Sequence, residues 1–191
     1  MRVSIDYSSP KVNNRRGKIW GALVPYGMTK LGFGTAKESP WRAGANANTV
    51  FTVSHAVKIQ GKPLAAGSYG LHAIVGKDEW TLVFSKNNSS WGSFFYDPAE
   101  DALRVTVKPE SHEFREWLNY EFTKREPNKS VAELHWEDLK IAWTIEVEQE
   151  DELYISLLKE ELRTMTGFNW RAFVAASQYC VQTKKYLDLG L

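Results

Sequence analysis

The sequence predicts a mainly β protein: an antiparallel β-sandwich or jelly-roll-like domain over residues 1–148, followed by a short C-terminal helical segment over residues 149–191. Three observations predict it. From residue 48 to residue 147 apolar side chains recur at every second position, the period of strands with one buried face. The runs are short and are separated by turn chemistry, such as Gln60-Gly61-Lys62-Pro63 and Gly76-Lys77-Asp78, rather than by helices, which excludes a βαβ sheet. After residue 148 the apolar period lengthens to that of a helix.

The first strand is expected at 3–7, where Val3, Ile5 and Tyr7 alternate with Ser4 and Asp6. A chain that begins inside a strand suggests that upstream sequence has been processed or trimmed. Further strands are expected at 49–53, 57–59, 69–75, 80–84, 103–107, 117–122, 131–136 and 139–147. The stretch from Pro25 to Trp41 is 17 residues long and contains Gly27, Gly32, Gly34 and Pro40, which predict an ordered surface loop of the Ω type. Its Gly32-Phe33-Gly34-Thr35-Ala36-Lys37 run lacks the preceding strand and following helix of a phosphate loop. A first helix is expected over Leu153, Tyr154, Leu157, Leu158, Leu162 and Met165, with Gly167 placed to stop it. Asn169 is the expected cap of a second helix whose apolar stripe is Trp170, Phe173, Val174, Ser177, Cys180 and Val181. Residues 186–191 look like a third helix cut short, as at the start of a helical repeat region that offers a protein partner its exposed faces.

Composition narrows the function classes. A hydrophobic content of 43% with 25% charge excludes a disordered chain. Lys and Arg total 24 against 23 for Asp and Glu, so no global field draws in nucleic acid. No run of about 18 apolar residues occurs, so no membrane span is expected. Cys180 is the single cysteine, which excludes an internal disulfide and a cysteine zinc knuckle. His55, His72, His112 and His135 lack metal-ligand spacing, no Gly-x-Ser-x-Gly elbow exists, and no motif asks for a cofactor.

Several stretches carry a resemblance. Asp6-Tyr7-Ser8-Ser9-Pro10, the run from Arg16-Gly17-Lys18-Ile19-Trp20 to Pro25-Tyr26-Gly27, and Trp41-Arg42-Ala43-Gly44-Ala45-Asn46 are similar in order and spacing to the bacterial family catalogued as domain of unknown function 2911. Ala66-Gly67-Ser68-Tyr69-Gly70-Leu71, Trp91-Gly92-Ser93 and Leu103-Arg104-Val105-Thr106-Val107 extend it over most of residues 5–147. The tail from Phe168-Asn169-Trp170 onward resembles the segment where longer members pass into tetratricopeptide-like helices. The resemblance implies a secreted or periplasmic bacterial protein and supplies no chemistry. Residues 28–40 are a departure, since in many members Pro-Tyr-Gly leads almost directly into Trp-Arg.

The ligand-binding candidates are Asp6, Arg16, Trp20, Trp41, Arg42, Asn46, Asn48, His72 and Trp91. An Arg between Trp41 and a Gly-Ala-Asn turn presents a planar five-donor fork to a carboxylate or phosphate, and the Asn side chains add directional bonds. The structural alternative is that Arg42 pairs with Asp6 or another carboxylate and pins the loop. Trp91, Phe94, Phe95 and Tyr96, with Trp20 and Trp41, are candidates for a stacking platform under a sugar ring or peptide side chain, whereas Trp80, Trp117, Trp136 and Trp143 sit on strand patterns as core or edge residues. The expected function is therefore a non-catalytic binding module for a polar small molecule, glycan or peptide. The alternative is a hydrolase or isomerase of small extracellular substrates, with Asp6, His72 or His135 as acid or base near Arg42.

Overall fold

A computed structural model of the chain describes residues 1–147 and 150–187. The period-two runs become β1 (Val3–Ser8), β2 (Ala45–Val53), β3 (Val57–Ile59), β4 (Lys62–Leu64), β5 (Gly67–Ile74), β6 (Trp80–Ser85), β7 (Asp101–Val107), β8 (Pro109–Arg125) and β9 (Lys129–Glu146). They form two antiparallel sheets, ordered β1-β2-β5-β6-β7 and β4-β3-β9-β8. Phe51, Leu71, Trp80, Leu82 and Phe84 of the first sheet share one buried core with Leu134, Trp136, Ile141, Trp143 and Ile145 of the second. Packing divides the chain into a unit of residues 1–148 and a unit of residues 149–191.

Two strand boundaries depart from the alternation. The runs at 131–136 and 139–147 are one strand, β9, interrupted at Glu137, whose backbone is left-handed at φ 57. On one side Ala132, Leu134 and Trp136 face the core, and on the other Ile141, Trp143 and Ile145 do. An irregular register around Glu137 switches the inward-facing positions from even to odd numbers, as a β-bulge does, and a pattern that changes phase looks like two strands. β4 was hidden in turn chemistry. The turn itself is only Gln60-Gly61, both at positive φ, and Lys62 already pairs with Ile59.

The 36 residues between β1 and β2 form no strand of their own, yet they are fastened to both sheets. The buried Glu137 carboxylate accepts the backbone N–H of Gly17 at 2.5 Å and is also hydrogen-bonded by the backbone of Ile19. That holds Ile19 in the core and Trp20 against Trp80 and Trp136, at ring-centroid distances of 4.8 and 5.6 Å. Glu137→Ala is expected to cost about 2–3 kcal/mol in urea unfolding, because buried N–H groups lose charged acceptors; Glu137→Gln, which keeps an acceptor oxygen, should lose less. Equal stability of the alanine variant and the wild type would refute this anchor. Further along, Thr29 and Ser39 exchange backbone bonds of 2.9 and 2.8 Å, and Trp41 and Ala73 do the same. Residues 28–40 are thus an ordered loop with a closed neck.

The helical unit contains α1 (Glu150–Glu161) and α2 (Trp170–Thr183). α1 ends before the expected Met165; a short tight-turn helix, Met165–Phe168, follows, capped by Thr164 and including Gly167. Asn169 caps α2 as expected, its Oδ1 accepting the Arg171 N–H at 3.1 Å. Of the expected apolar stripe only Cys180 is buried, with Ala176 beside it, whereas Trp170, Phe173, Val174 and Val181 are exposed. Asp151 accepts from Tyr179 Oη at 2.8 Å and pairs with Lys185, which ties the two helices together. Of the expected third helix, residues 188–191 lie outside the described residues. No helix among the described residues is long and apolar enough to cross a membrane.

Candidate functional site

On β5, Leu71 and Ala73 point into the core, so His72 between them points to the other face of the first sheet. That face is not open to solvent. The connection between β6 and β7, residues 86–100, folds back across it and buries His72, which is 2% exposed, together with Ser85 and Val83. His72 Nδ1 is 2.8 Å from Ser93 Oγ. Asn48 on β2 holds the same loop twice: its backbone N–H donates to the Ser90 carbonyl at 3.1 Å and its Nδ2 to the Asn87 carbonyl at 3.1 Å. Asn48 Oδ1 is buried and meets no protein donor. Ser39, from the neck of the 28–40 loop, donates to the Ser93 carbonyl at 2.7 Å.

Arg42 lies at the edge of this polar layer. One N–H of its guanidinium donates to the Asn46 carbonyl at 2.7 Å, and its charge sits 5.2 Å from the Phe94 ring centre. Gly92, at φ 59, is pressed against it: a Cβ there would overlap the guanidinium carbon, so a larger residue would be strained and would displace the Arg42 head group. Trp91 next to it projects outward and is 60% exposed. Among the described residues no carboxylate lies within ion-pair distance of Arg42. Burial holds its guanidinium below the usual arginine range. Burial, and secondly the Arg42 charge, push His72 down to about 4, so the imidazole is neutral at physiological pH.

The nine predicted residues thus separate into four places. Arg42, Asn46, Asn48, His72 and Trp91 come together at this corner. Asp6 is exposed on β1, opposite Val50, and accepts a 3.4 Å bond from Ser4, so the expected pinning of Arg42 by Asp6 is not formed. Arg16 makes a bidentate pair with Asp138 on the second sheet, at 2.6 and 3.0 Å, and covers Phe114. Trp20 and Trp41 pack with Trp80 and Trp136 against the core, which removes them from any surface platform. Tyr96 is buried too. Its hydroxyl, pushed up to about 12 by burial and then by the Asp101 carboxylate, donates to Asp101 at 2.9 Å and accepts from Arg104 at 2.7 Å.

Ser93 and Asn87 were not singled out in advance, although Trp91-Gly92-Ser93 was part of the resemblance; their roles depend on the loop folding back. Two of the histidines, His112 and His135, lie together, with 4.4 Å between ring centres. His135 Nε2 donates to the Glu133 carboxylate over 3.0 Å, and it is held below the usual histidine range chiefly by burial and then by His112. Among the described residues no group of His, Cys, Asp and Glu has metal-binding geometry. Beside the corner, a cleft of about 830 Å³ opens between Met28, Lys30, Thr35 and Lys37 of one loop and Tyr96 and Pro98 of the other.

The Arg42 guanidinium is a ring-backed and partly dehydrated cation, and a planar fork of this kind is chemically able to donate to a carboxylate or phosphate. No curated protein and no solved structure matches the chain. Residues 1–145 match the family described as "Protein of unknown function (DUF2911)", and the chain belongs to that family.

Proposed function

We propose that the chain is a non-catalytic binding module whose ligand is a small polar molecule bearing a carboxylate or phosphate, such as an acidic sugar or a peptide end. The observation that carries this reading is Arg42 itself, a half-buried guanidinium without a carboxylate partner among the described residues. Removing water from a cation is costly unless an acceptor replaces it, and an incoming anion is such an acceptor. Trp91 adds an exposed ring on which a sugar or planar group can stack. His72 is neutral and engaged by Ser93, and Asp6 and His135 are not hydrogen-bonded to this corner, so recognition is favoured over acid–base catalysis. A secreted or periplasmic setting, implied by the family resemblance, and a protein-interaction role for the helical unit belong to the same proposal.

The test is a panel of uronic acids, amino acids, short peptides and organic phosphates, read by thermal shift and then by calorimetry on the hits. Arg42→Ala should weaken binding of a hit by about tenfold to a hundredfold, the loss of a charged hydrogen-bond pair. Arg42→Lys should recover little, because a point charge does not replace the fork. Unchanged affinity in Arg42→Ala would overturn the assignment.

A further inference from the structure

The Gly92 backbone limits how a ligand can reach the Arg42 head group. A Cβ built on Gly92 would meet Cζ and Nη1 at the same distance and Nε slightly farther off. At an edge of the fork both nitrogens would be nearer than the carbon between them, so Gly92 stands over the flat face of the guanidinium and closes it. The Phe94 ring centre lies 5.2 Å from Cζ, and the Asn46 carbonyl takes one N–H of Nη1 at 2.7 Å. The remaining N–H groups point outward in the plane of the fork.

The fork is also held in place. It leads into a turn in which Ala43, which is buried, and Asn46 both have left-handed backbones, at φ 50 and 59, a state that a residue with a Cβ keeps only where its surroundings enforce it. The Ala43 carbonyl accepts from Tyr120 Oη of β8 at 2.6 Å and from Thr49 Oγ1 of β2 at 3.1 Å, and Trp41 Nε1 donates to the Gly44 carbonyl at 3.2 Å. A hydroxyl from each sheet therefore pins the residue that follows Arg42.

Charge adds a second restriction. Of the five residues gathered at the corner only Arg42 is charged, since burial keeps His72 neutral at physiological pH. Lys30 and Lys37 in the adjoining cleft are offset by Glu38 and Asp97. A phosphate monoester brings about two negative charges and a tetrahedron of oxygens, which cannot all lie in the plane of the fork; a carboxylate brings one charge and two oxygens in a single plane. Taking Arg42 as the anion site proposed above, we infer that this corner selects a carboxylate over a phosphate. The carboxylate lies coplanar with the fork, Gly92 bars oxygens above it, and Tyr120 and Thr49 keep the fork from turning to meet them.

Two matched pairs of anions test the choice: glucuronate against glucose 6-phosphate, and acetate against methylphosphonate. Each is titrated into the isotope-labelled full chain at constant ionic strength and followed by magnetic resonance at the Gly92 backbone N–H and the Trp91 indole N–H. In each pair the carboxylate should reach half-saturation at a concentration about tenfold or more below that of its phosphorus partner. Tyr120→Phe keeps the ring that packs on Tyr7 at 4.8 Å and removes only the hydroxyl; it should weaken the carboxylates and narrow the gap. A gap that Tyr120→Phe leaves unchanged would overturn the positioning role of Tyr120. Equal saturation within each pair, or the phosphorus anion ahead, with every response lost in Arg42→Ala, would leave Arg42 as an anion site and overturn the selection. No response to any of these anions would overturn the site and the selection together.

Discussion

Trp136→Ala is expected to lower the stability of the β unit by about 3–5 kcal/mol, the range for removing a large aromatic side chain from a packed core. Trp136 is fully buried, stacks on Trp41 at 6.0 Å and receives the edge of Trp20 at 5.6 Å. Its indole N–H has no protein acceptor, so no conventional hydrogen bond is lost; the cost is the cavity and the contacts that lined it. With total stabilities of about 5–15 kcal/mol being usual, such a variant stands close to unfolding at room temperature. Urea titration followed by near-ultraviolet dichroism measures the shift in midpoint. Trp136→Phe, which refills part of the space, should lose less. A loss below about 1 kcal/mol for the alanine variant would show that the four-tryptophan cluster does not join the sheets.

Acid should destabilise the loop-covered face through His72. Its folded value of about 4 lies below the usual histidine value because burial, and then the nearby Arg42 charge, disfavour the protonated form. As pH falls below about 6.5 the unfolded chain takes up this proton and the folded chain does not, so stability declines. The decline runs down to about pH 4, where the folded imidazole also protonates, and then levels; over the whole window it amounts to about 3 kcal/mol. Stability of the wild type and of His72→Gln, measured by denaturant unfolding from pH 7 to 4, isolates the effect as the difference between two slopes. Parallel slopes would rule out a buried neutral imidazole. Placing a cation at position 72 beside Arg42 should also loosen residues 86–98, seen as faster amide exchange at Ser93 and Phe94 below pH 5.

How far the sequence anticipates this molecule depends on the range of the forces that shape each part. Strands such as β7 and the second half of β9 were legible because each has a core face and a polar face, and alternation records that directly. Glu137 defeated the reading locally: an irregular register shifts the inward positions, and period-two logic sees an end where the chain continues. The segment from Ser9 to Gly44 has no period, because its order is imposed by partners such as Ala73, Val75, Phe94 and Glu137.

The site divides along the same line. Arg42, Asn46 and Asn48 belong to one turn and its following strand, so proximity in sequence was a fair guide. Arg16 and Asp138 are 122 positions apart, and nothing local advertises their pairing. Trp20 and Trp41 looked like surface residues because glycine-rich sequence surrounds them, whereas packing against Trp80 and Trp136 needs both sheets in place. Ser93 became part of the site only because its loop folds over His72, a contact spanning 21 residues.

The fastening of residues 9–44 bears on how the chain matures during synthesis. A ribosome delivers these residues early, but their docking points at Ala73, Val75, Phe94 and Glu137 emerge in sequence afterwards. Ile19, Trp20 and Trp41 are consequently apolar groups waiting on a nascent chain for partners up to about a hundred residues downstream, the interval in which an unfinished polypeptide is most prone to associate with its neighbours.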